Sequence, residues 1–243
     1  AAGFDAVEIQ GGHGYLITEF MSPYSNKRED EYGRDFEGRM KFPLAIVEGI
    51  RIAVGPDFPI IFRLSADEYV EGGLTLEDNK LIARRLEAAG VDAISISSGI
   101  YESTPWYSRI FPTAGMPMGC NVPLAQEIKK TVKIPIIVAG KLGNPVLAEK
   151  VLKEGKADLI AMGRPLLADP ELPRKAFEGR LEDIRPCIYC NEACIGNISR
   201  FWRIDCVVNP ALGRESEYQI EPVRRKKRVL VVGGGPAGME AAR

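Results

Sequence analysis

The stretch AAGVDAISI at residues 88–96 decides the fold, because its pattern occurs three times in the chain. AAGFDAVEI opens the sequence at residues 1–9, and EGKADLIAM lies at residues 154–162. Each copy has the tail of a helix, a Gly near the helix end, an Asp and an apolar run. Glycine supplies the left-handed residue that ends many helices, and an unbroken apolar run is typical of a parallel strand buried on both faces. The three copies therefore predict three parallel strands, each preceded by a helix.

Two further apolar runs have the same character. FPIIFRLS at residues 58–65 and IPIIVAGK at residues 134–141 each carry a Pro near the start, which a strand tolerates. Helical patterns at residues 76–90 and 145–155 separate the runs. Five strands that alternate with helices indicate a parallel α/β fold. We predict the C-terminal part of a (β/α)8 TIM barrel, strands four to eight, and a doubly wound sheet is the alternative.

Composition excludes several classes of protein. The chain has 243 residues, 45% of them hydrophobic and 27% charged, with a net charge of −1. This balance gives no reason to expect a nucleic acid or an anionic membrane as a partner. No apolar stretch approaches the roughly 20 residues of a membrane helix, and no signal peptide is present, so we expect a cytoplasmic protein. Because the chain opens without Met and stops inside a predicted helix, we expect it to be a fragment cut at both ends. Three barrel units of roughly 30–40 residues would precede it, which is about 100 or more residues.

Two Gly–cation pairs follow the last two strands of the predicted barrel. Gly140-Lys141 comes after the fourth run and Gly163-Arg164 after the fifth. Backbone N–H groups, a helix N-terminus and a positive side chain together make a phosphate site. Barrels often bind phosphate with the loops after strands seven and eight, where these pairs would fall. They predict such a site; the alternative is that each Gly only makes a turn and each cation lies in water.

Four of the five cysteines lie in CIYCNEACIGNISRFWRIDC at residues 187–206. Closely spaced cysteines in a chain without a signal peptide indicate a metal site rather than disulfides. Zinc sites commonly use two C-x2-C pairs, whereas here three cysteines are close together and the fourth stands apart. The spacing favours an iron–sulfur cluster and leaves zinc open. The predicted metal ligands are Cys187, Cys190, Cys194 and Cys206. The fifth, Cys120, is expected to be an ordinary thiol.

The C-terminal stretch KKRVLVVGGGPAGMEAAR at residues 226–243 has the pattern of a strand, a G-x-G-x-x-G turn and the start of a helix. In a dinucleotide-binding turn, Gly233, Gly235 and Gly238 would allow the tight turn, the approach of the pyrophosphate and close helix packing. We therefore predict the first strand of a Rossmann-like domain here. The predicted units are a partial barrel at 1–185, a cysteine segment at 186–213, a linker at 214–227 and the dinucleotide-binding unit at 228–243.

Six stretches carry a resemblance to a known family. They are GFDAVEIQGGHGYLITEFMSPYSNKREDEYG, IIFRLS, IPIIVAGKLGNP, ADLIAMGRPLLADPELP, RPCIYCNEACI and VLVVGGGPAGMEAAR. In this order they are similar to the iron–sulfur branch of the old yellow enzyme family. That branch includes 2,4-dienoyl-CoA reductase, the clostridial enoate reductases and trimethylamine dehydrogenase.

The resemblance implies a barrel that binds FMN, a [4Fe–4S] cluster held by the four cysteines, and a C-terminal region for FAD and NAD(P)H. It places Arg63 beside the pyrimidine end of the flavin ring, where a cation stabilises the negative charge of the reduced form. It assigns the FMN phosphate to Gly140-Lys141 and Gly163-Arg164. The family more often has Arg where Lys141 stands, and Lys keeps the charge without the bidentate geometry.

The resemblance also implies catalytic residues after the first strand. Tyr15 would protonate one alkene carbon, since a phenol is a neutral proton donor at pH 7 that can lie in an apolar pocket. His13 and Gln10 would donate hydrogen bonds to the substrate carbonyl. Gln10 departs from the commoner His, although its amide can still donate.

The loop after the third run carries three aromatic residues. Tyr101 stands nearest to the position of a His that helps protonation in dienoyl-CoA reductase, and it either substitutes for that His or only lines the pocket. Trp106 and Tyr107 are expected to form pocket wall.

The function that follows is an NAD(P)H-dependent flavin and iron–sulfur oxidoreductase. It would reduce the activated C=C bond of an enoate, enone or enoyl-CoA substrate, with hydride from FMN and a proton from Tyr15. The alternatives are oxidation of an amine with electrons leaving through the cluster, and a non-catalytic electron-transfer module. We expect a small unsaturated carbonyl or acyl compound as partner, no nucleic acid and no membrane, with a homo-oligomer as an option. We expect this stretch of chain alone to be inactive.

Overall fold

The computed structural model of the chain describes residues 3–103, 108–218 and 225–242. The strands are β1 (Val7–Gly11), β2 (Ile60–Ser65), β3 (Ala93–Ser97), β4 (Ile136–Ala139) and β5 (Leu159–Ala161). The helices between them are α1 (Leu16–Met21), α2 (Phe36–Val54), α3 (Leu76–Ala88), α4 (Val122–Lys129) and α5 (Pro145–Lys153). After β5 come α6 (Arg164–Ala168), α7 (Leu172–Phe177), a 3-10 turn (Leu181–Asp183), α8 (Ile195–Ile198) and α9 (Pro236–Ala242). No described helix is both long and apolar enough to cross a membrane.

The five strands form one parallel sheet in the order β1-β2-β3-β4-β5. The predicted parallel α/β fold is therefore confirmed. A doubly wound sheet reverses its strand order at a switch point, whereas here each strand pairs with the next one in the chain. The described strands thus have the order of consecutive barrel strands, and the doubly wound alternative is wrong for them.

The two faces of the sheet differ in polarity. On one face, Phe62 and Leu64 of β2 and Ile94 and Ile96 of β3 are fully buried with the helices in a single apolar core. Burial of each such side chain contributes about 1.5–3 kcal/mol. On the other face, a row of polar residues crosses the sheet, since Gln10, Arg63 and Ser95 are aligned across β1, β2 and β3. The helix-facing side stabilises the fold, and the polar side is left for function.

The Asp of the repeated pattern joins neighbouring strands. The Asp92 carboxylate, just before β3, accepts the N–H of Ile60 at the start of β2 (2.7 Å) and pairs with Arg51 Nη2 (2.5 Å). Asp158, just before β5, likewise accepts the N–H of Ile136 at the start of β4 (2.8 Å). In two of the three copies, the Asp therefore satisfies the first N–H of the preceding strand.

The cysteine segment folds back onto the loops at the end of the barrel strands. Asn191 Nδ2 donates to the Phe111 carbonyl (2.8 Å), and Asn209 Nδ2 donates to the Leu167 carbonyl (2.8 Å). Arg185 Nη1 donates to Asn209 Oδ1 at 3.2 Å. These bonds hold the predicted metal ligands next to the strand ends.

The first strand of the predicted Rossmann-like unit stays a prediction. Residues 225–235 form no strand with any described part of the chain, and Val229, Leu230 and Val232 are 77%, 87% and 88% exposed. A strand needs a neighbour for its ladder hydrogen bonds, and none of the described strands lies beside this stretch. The helix start does form, as α9. Part of the predicted linker, residues 219–224, lies outside the described residues.

We predict that Asp92→Ala destabilises the full-length protein by about 1–2 kcal/mol, because hydrogen bonds to a charged group contribute about 1.5–3 kcal/mol and this carboxylate is partly exposed. Urea denaturation would measure the loss. Asp92→Asn keeps an acceptor for the Ile60 N–H, so its stability should lie between those of the unchanged protein and Asp92→Ala. Asp57→Ala, at an exposed aspartate in the neighbouring loop, is the control and should change stability by less than about 0.5 kcal/mol. Equal stability of the two Ala variants would contradict the role of Asp92.

Candidate functional site

A cavity opens at the carboxyl ends of the strands, where parallel barrels carry their chemistry. It is lined by the barrel residues that were predicted to bind cofactor: Arg63, Gly140, Lys141, Gly163 and Arg164. His13 lines it as well, together with three residues that the sequence did not single out: Ser97, Asn121 and Tyr189. The topology thus brings together residues far apart in the chain, such as His13 after β1 and Arg164 after β5.

Arg63 brings a positive charge and a spare donor to this cavity. Its Nη1 lies 3.4 Å from Glu8 Oε1 on β1. Its Nε is buried and has no hydrogen-bond partner among the described residues. A buried unpaired donor costs about 1–3 kcal/mol, which a ligand with an acceptor atom would recover. The guanidinium is therefore suited to an electron-rich or anionic ring system.

His13 is fixed in the loop after β1 by its backbone and by both ring nitrogens. Its φ is +67°, and its N–H donates to Ser65 Oγ (2.8 Å). The ring places Nδ1 3.2 Å from Gln10 Nε2 and Nε2 2.7 Å from Ser97 Oγ. Burial, and secondarily the nearby Arg63 cation, lowers the His13 pKa to about 4. The ring is therefore neutral at pH 7.

The expected donor pair, Gln10 and His13, comes together but is occupied by protein atoms. The Gln10 amide nitrogen lies 3.2 Å from the Gly12 carbonyl oxygen and 3.2 Å from His13 Nδ1. These two contacts use both hydrogens of the Gln10 NH2 group. The other nitrogen of His13 faces Ser97. In this arrangement neither side chain has a donor left for a substrate carbonyl, which differs from the expectation.

Lys141 is also more engaged than expected. Its ammonium donates to the carbonyls of Thr113 (2.9 Å), Ala114 (3.0 Å) and Met116 (2.5 Å). An ammonium has three donors, so all three are used. Its side chain fastens the 113–116 loop, and contact with a phosphate would require one of these bonds to break.

Arg164 retains donors for a ligand. Its Nη1 donates to the Pro112 carbonyl (2.7 Å) and to Asn191 Oδ1 (2.5 Å). No hydrogen bond from its Nε or Nη2 is found within the described ranges. Gly163 and Arg164 also begin α6, where backbone N–H groups lack intrahelical partners. Of the two predicted phosphate-binding cations, Arg164 has the freer side chain.

Tyr189 forms a wall between this cavity and a second, smaller one. Its ring is 6% exposed and lines both cavities. Lys141 Nζ lies 4.9 Å and Arg164 Cζ 5.2 Å from the ring centroid, distances at which cations attract an aromatic face. The Tyr189 hydroxyl accepts the N–H of Gly143 (3.2 Å). No sequence pattern indicated this role, because Tyr189 stands inside the cysteine motif.

The second cavity is lined by all four predicted metal ligands, Cys187, Cys190, Cys194 and Cys206. Its other walls include Leu167, Ile188, Val207 and Val208. All four cysteines are free thiols. Among the described residues, no three His, Cys, Asp or Glu side chains meet closely enough to hold one metal ion. The four thiols therefore share one cavity.

Tyr15 and Tyr101 form a phenol pair. Their oxygens are 2.6 Å apart, and their rings meet edge-on at 5.7 Å between centroids. The loops that carry them are joined by a bridge between His13 and Ile100, so the pair stands beside the His13 site. Both side chains are partly exposed, Tyr15 at 48% and Tyr101 at 37%. Trp106 and Tyr107, predicted as pocket wall, lie outside the described residues.

At two of the three predicted glycines of the C-terminal turn, Gly233 and Gly238, the local geometry favours glycine over other residues. Gly233 has a φ of +111°. A Cβ on Gly238 would lie 1.9 Å from the Gly233 carbonyl oxygen, so the helix packs too closely for a side chain. Gly235 immediately precedes α9. The conformation of this turn therefore depends on glycine at two of the three positions.

Comparison with known proteins places these features in context. Residues 1–183 match the NADH:flavin oxidoreductase / NADH oxidase family. An NADH oxidase of Thermoanaerobacter brockii is 54% identical over 241 residues, which are 98% of this chain and 37% of that protein. The structure of 2-naphthoyl-CoA reductase with 2-naphthoyl-CoA superposes with a TM-score of 0.94 at 42% identity, covering 99% of this chain and 36% of that one.

A third relative is histamine dehydrogenase from Rhizobium sp. 4-9, with a TM-score of 0.86 and 33% identity over 98% of this chain and 35% of that one. The chain thus spans little more than a third of the length of the proteins that it matches. The predicted resemblance to the old yellow enzyme family is confirmed. Since the family match extends over most of the chain, the chain belongs to the NADH:flavin oxidoreductase / NADH oxidase family.

Proposed function

We propose that the full-length protein is an FMN-dependent oxidoreductase that reduces an activated C=C bond with electrons from NAD(P)H. The observation that carries this proposal is the cavity at the strand ends, where Arg63 and Arg164 face one space beside the phenol pair. When bound there, FMN would supply the hydride. The remaining requirements are a cation near the flavin ring, an anchor for its phosphate and a proton donor for the substrate.

Arg63 and Arg164 would bind opposite ends of the cofactor. Arg63 has a buried Nε without a partner, which suits an acceptor atom on the flavin ring, and its charge favours the reduced, anionic form. Arg164, with the backbone of Gly140 and Gly163, would hold the phosphate. Lys141 would support this end by holding the 113–116 loop and by adding positive charge.

Tyr15 would donate the proton to the substrate. A phenol is neutral at pH 7, and the 2.6 Å contact with the Tyr101 oxygen gives it a partner that can replace the donated proton from solvent. Both hydroxyls are partly exposed, so a proton can reach them from water. Tyr101 would thus take the place of the His expected in this loop.

We also propose that the four cysteines hold a [4Fe–4S] cluster. Support comes from the cavity that they line together and from the lack of a single-ion geometry among the described residues. Four Cys thiolates are the usual ligands of this cluster. FAD and NAD(P)H would bind a C-terminal region that begins near Gly233, Gly235 and Gly238, and the cluster would carry single electrons between the flavins.

Amine oxidation is the second candidate function, supported by the similarity to histamine dehydrogenase. The greater identity to the 2-naphthoyl-CoA reductase favours reduction. Anaerobic spectroscopy separates the two directions. In the proposed direction, NADH bleaches the flavin and an α,β-unsaturated acid or acyl-CoA restores its colour. Bleaching by a methylated amine, with no reoxidation by any unsaturated acyl compound, would reverse the assignment.

Arg164→Ala should lower the FMN content of the purified full-length protein, because the phosphate would lose a charge-assisted contact. Loss of about 1.5–3 kcal/mol corresponds to roughly a tenfold to hundredfold weaker FMN affinity. Arg174→Ala, at an exposed arginine on α7, is the matched control and should bind FMN like the unchanged protein. Equal FMN affinity of both variants would remove Arg164 from the phosphate site.

Cys194→Ser should abolish the cluster, whereas Cys120→Ser should leave it intact, since Cys120 does not line the cysteine cavity. Iron, acid-labile sulfide and zinc would be assayed in anaerobically purified full-length protein. About four irons with matching sulfide per chain are expected in the unchanged protein and in the Cys120 variant. Zinc without sulfide would make the segment a structural site and leave a simpler FMN-dependent reductase.

Tyr15→Phe should lower turnover about a hundredfold or more, because a positioned proton donor contributes about that factor. FMN content should not change. Tyr101→Phe, which removes only the supporting hydroxyl, should lower turnover by about threefold to tenfold. Tyr32→Phe, at another exposed tyrosine, is the control and should retain full activity. Full activity of Tyr15→Phe would show that the proton comes from another group.

A further inference from the structure

Ser97 has no role in the function proposed so far, although it lies at the centre of the site. It ends β3, is buried, and lines the same cavity as Arg63 and His13. Its Oγ lies 2.7 Å from His13 Nε2. No second hydrogen-bond partner for this oxygen is found among residues 3–103, 108–218 and 225–242. The direction of the bond to His13 decides what the hydroxyl can do.

The Gly12 carbonyl determines the direction of the hydrogen bonds that run from Gln10 through His13 to Ser97. Gln10 Nε2 lies 3.2 Å from the Gly12 oxygen, and a carbonyl oxygen can only accept a hydrogen bond. The amide atom at this place must therefore be the NH2 group, not the oxygen. The second hydrogen of the same NH2 group points to His13 Nδ1 at 3.2 Å. Nδ1 then has to accept, so it carries no proton.

The single proton of the neutral His13 ring is consequently on Nε2. This nitrogen donates to Ser97 Oγ, and the hydroxyl oxygen is the acceptor. A hydroxyl has one hydrogen of its own in addition to its lone pairs. Because the bond to His13 occupies a lone pair, the Ser97 hydrogen is free to donate to an atom in the cavity.

We propose that Ser97 is a cofactor-binding residue whose hydroxyl donates a hydrogen bond to an acceptor atom of the flavin ring. Gln10 and His13 are positioning residues that act through it, by holding the Ser97 oxygen as an acceptor on their side. The inference rests on the proposed FMN site, because the acceptor belongs to the ring beside Arg63. It gives the Gln10–His13 pair a function toward the cofactor in place of the expected contact with the substrate carbonyl.

The first test measures the affinity of the full-length apoprotein for FMN by titration. The visible absorption spectrum of the bound flavin is recorded in the same experiment. Ser97→Ala should weaken FMN binding by about threefold to tenfold and shift the flavin absorption, since one hydrogen bond to the ring is lost. Ser97→Cys keeps a side chain of similar size, but a thiol is a weaker donor than a hydroxyl. Its FMN affinity should fall between those of the unchanged protein and Ser97→Ala. Ser25→Ala removes an exposed hydroxyl in the loop after α1, away from the residues that line the cavity, and should bind FMN normally.

The second test asks whether Gln10 acts through Ser97. Gln10→Met should weaken FMN binding less than Ser97→Ala, and the double variant should bind no more weakly than Ser97→Ala alone. Additive losses would show that Gln10 acts independently and would overturn the directed chain. Unchanged FMN affinity and spectrum in Ser97→Ala, or in Ser97→Cys should the Ala variant not fold, would overturn the role of Ser97. Absence of FMN binding in the unchanged protein would instead overturn the proposed function.

Discussion

Parallel pairing of five consecutive strands is the constraint on which the rest of the structure depends. Because every strand runs in the same direction, all five carboxyl ends meet at one edge, and the loops that follow them share one cavity. The Asp at each repeated junction secures this arrangement at the opposite edge, where Asp92 and Asp158 each bind the first N–H of a neighbouring strand. Helix-facing apolar residues provide the stability, which leaves the polar face free to carry residues chosen for chemistry.

Charge sets the character of the cavity. Arg63, Lys141 and Arg164 all line it, and Glu8 offsets only part of this charge at 3.4 Å from Arg63. Lys141 is buried at 5% exposure and is sustained by three carbonyl dipoles rather than by an anion. The Arg63 charge contributes to the low pKa of His13, after burial itself. A cavity of this kind is best stabilised by an anionic ligand with acceptor atoms at both ends.

The strands were predictable from their apolar runs and from the helical patterns between them, and the Gly–cation pairs drew attention because they follow two of those runs. The pairs do line one cavity. What the sequence could not provide is the partner of each polar atom. Lys141 bonds to carbonyls 25 to 28 residues away, and His13 meets Ser97 84 residues away. The predicted C-terminal strand has no described strand beside it, because local preference for a strand cannot supply the neighbour that its hydrogen bonds require.

The two cavities are separated by little more than Tyr189. Arg164 and Tyr189 line both, so a flavin in one and a cluster in the other would lie on either side of a single aromatic ring. The left-handed conformation of Tyr189, with a φ of +55°, is maintained by its hydroxyl bond to Gly143 and by two cations near its ring. A residue held by this many contacts in an uncommon backbone conformation indicates that the position of the ring matters. The same contacts fix the start of the cysteine segment against the barrel, so the geometry between the two cavities depends on the loops after β4 and β5.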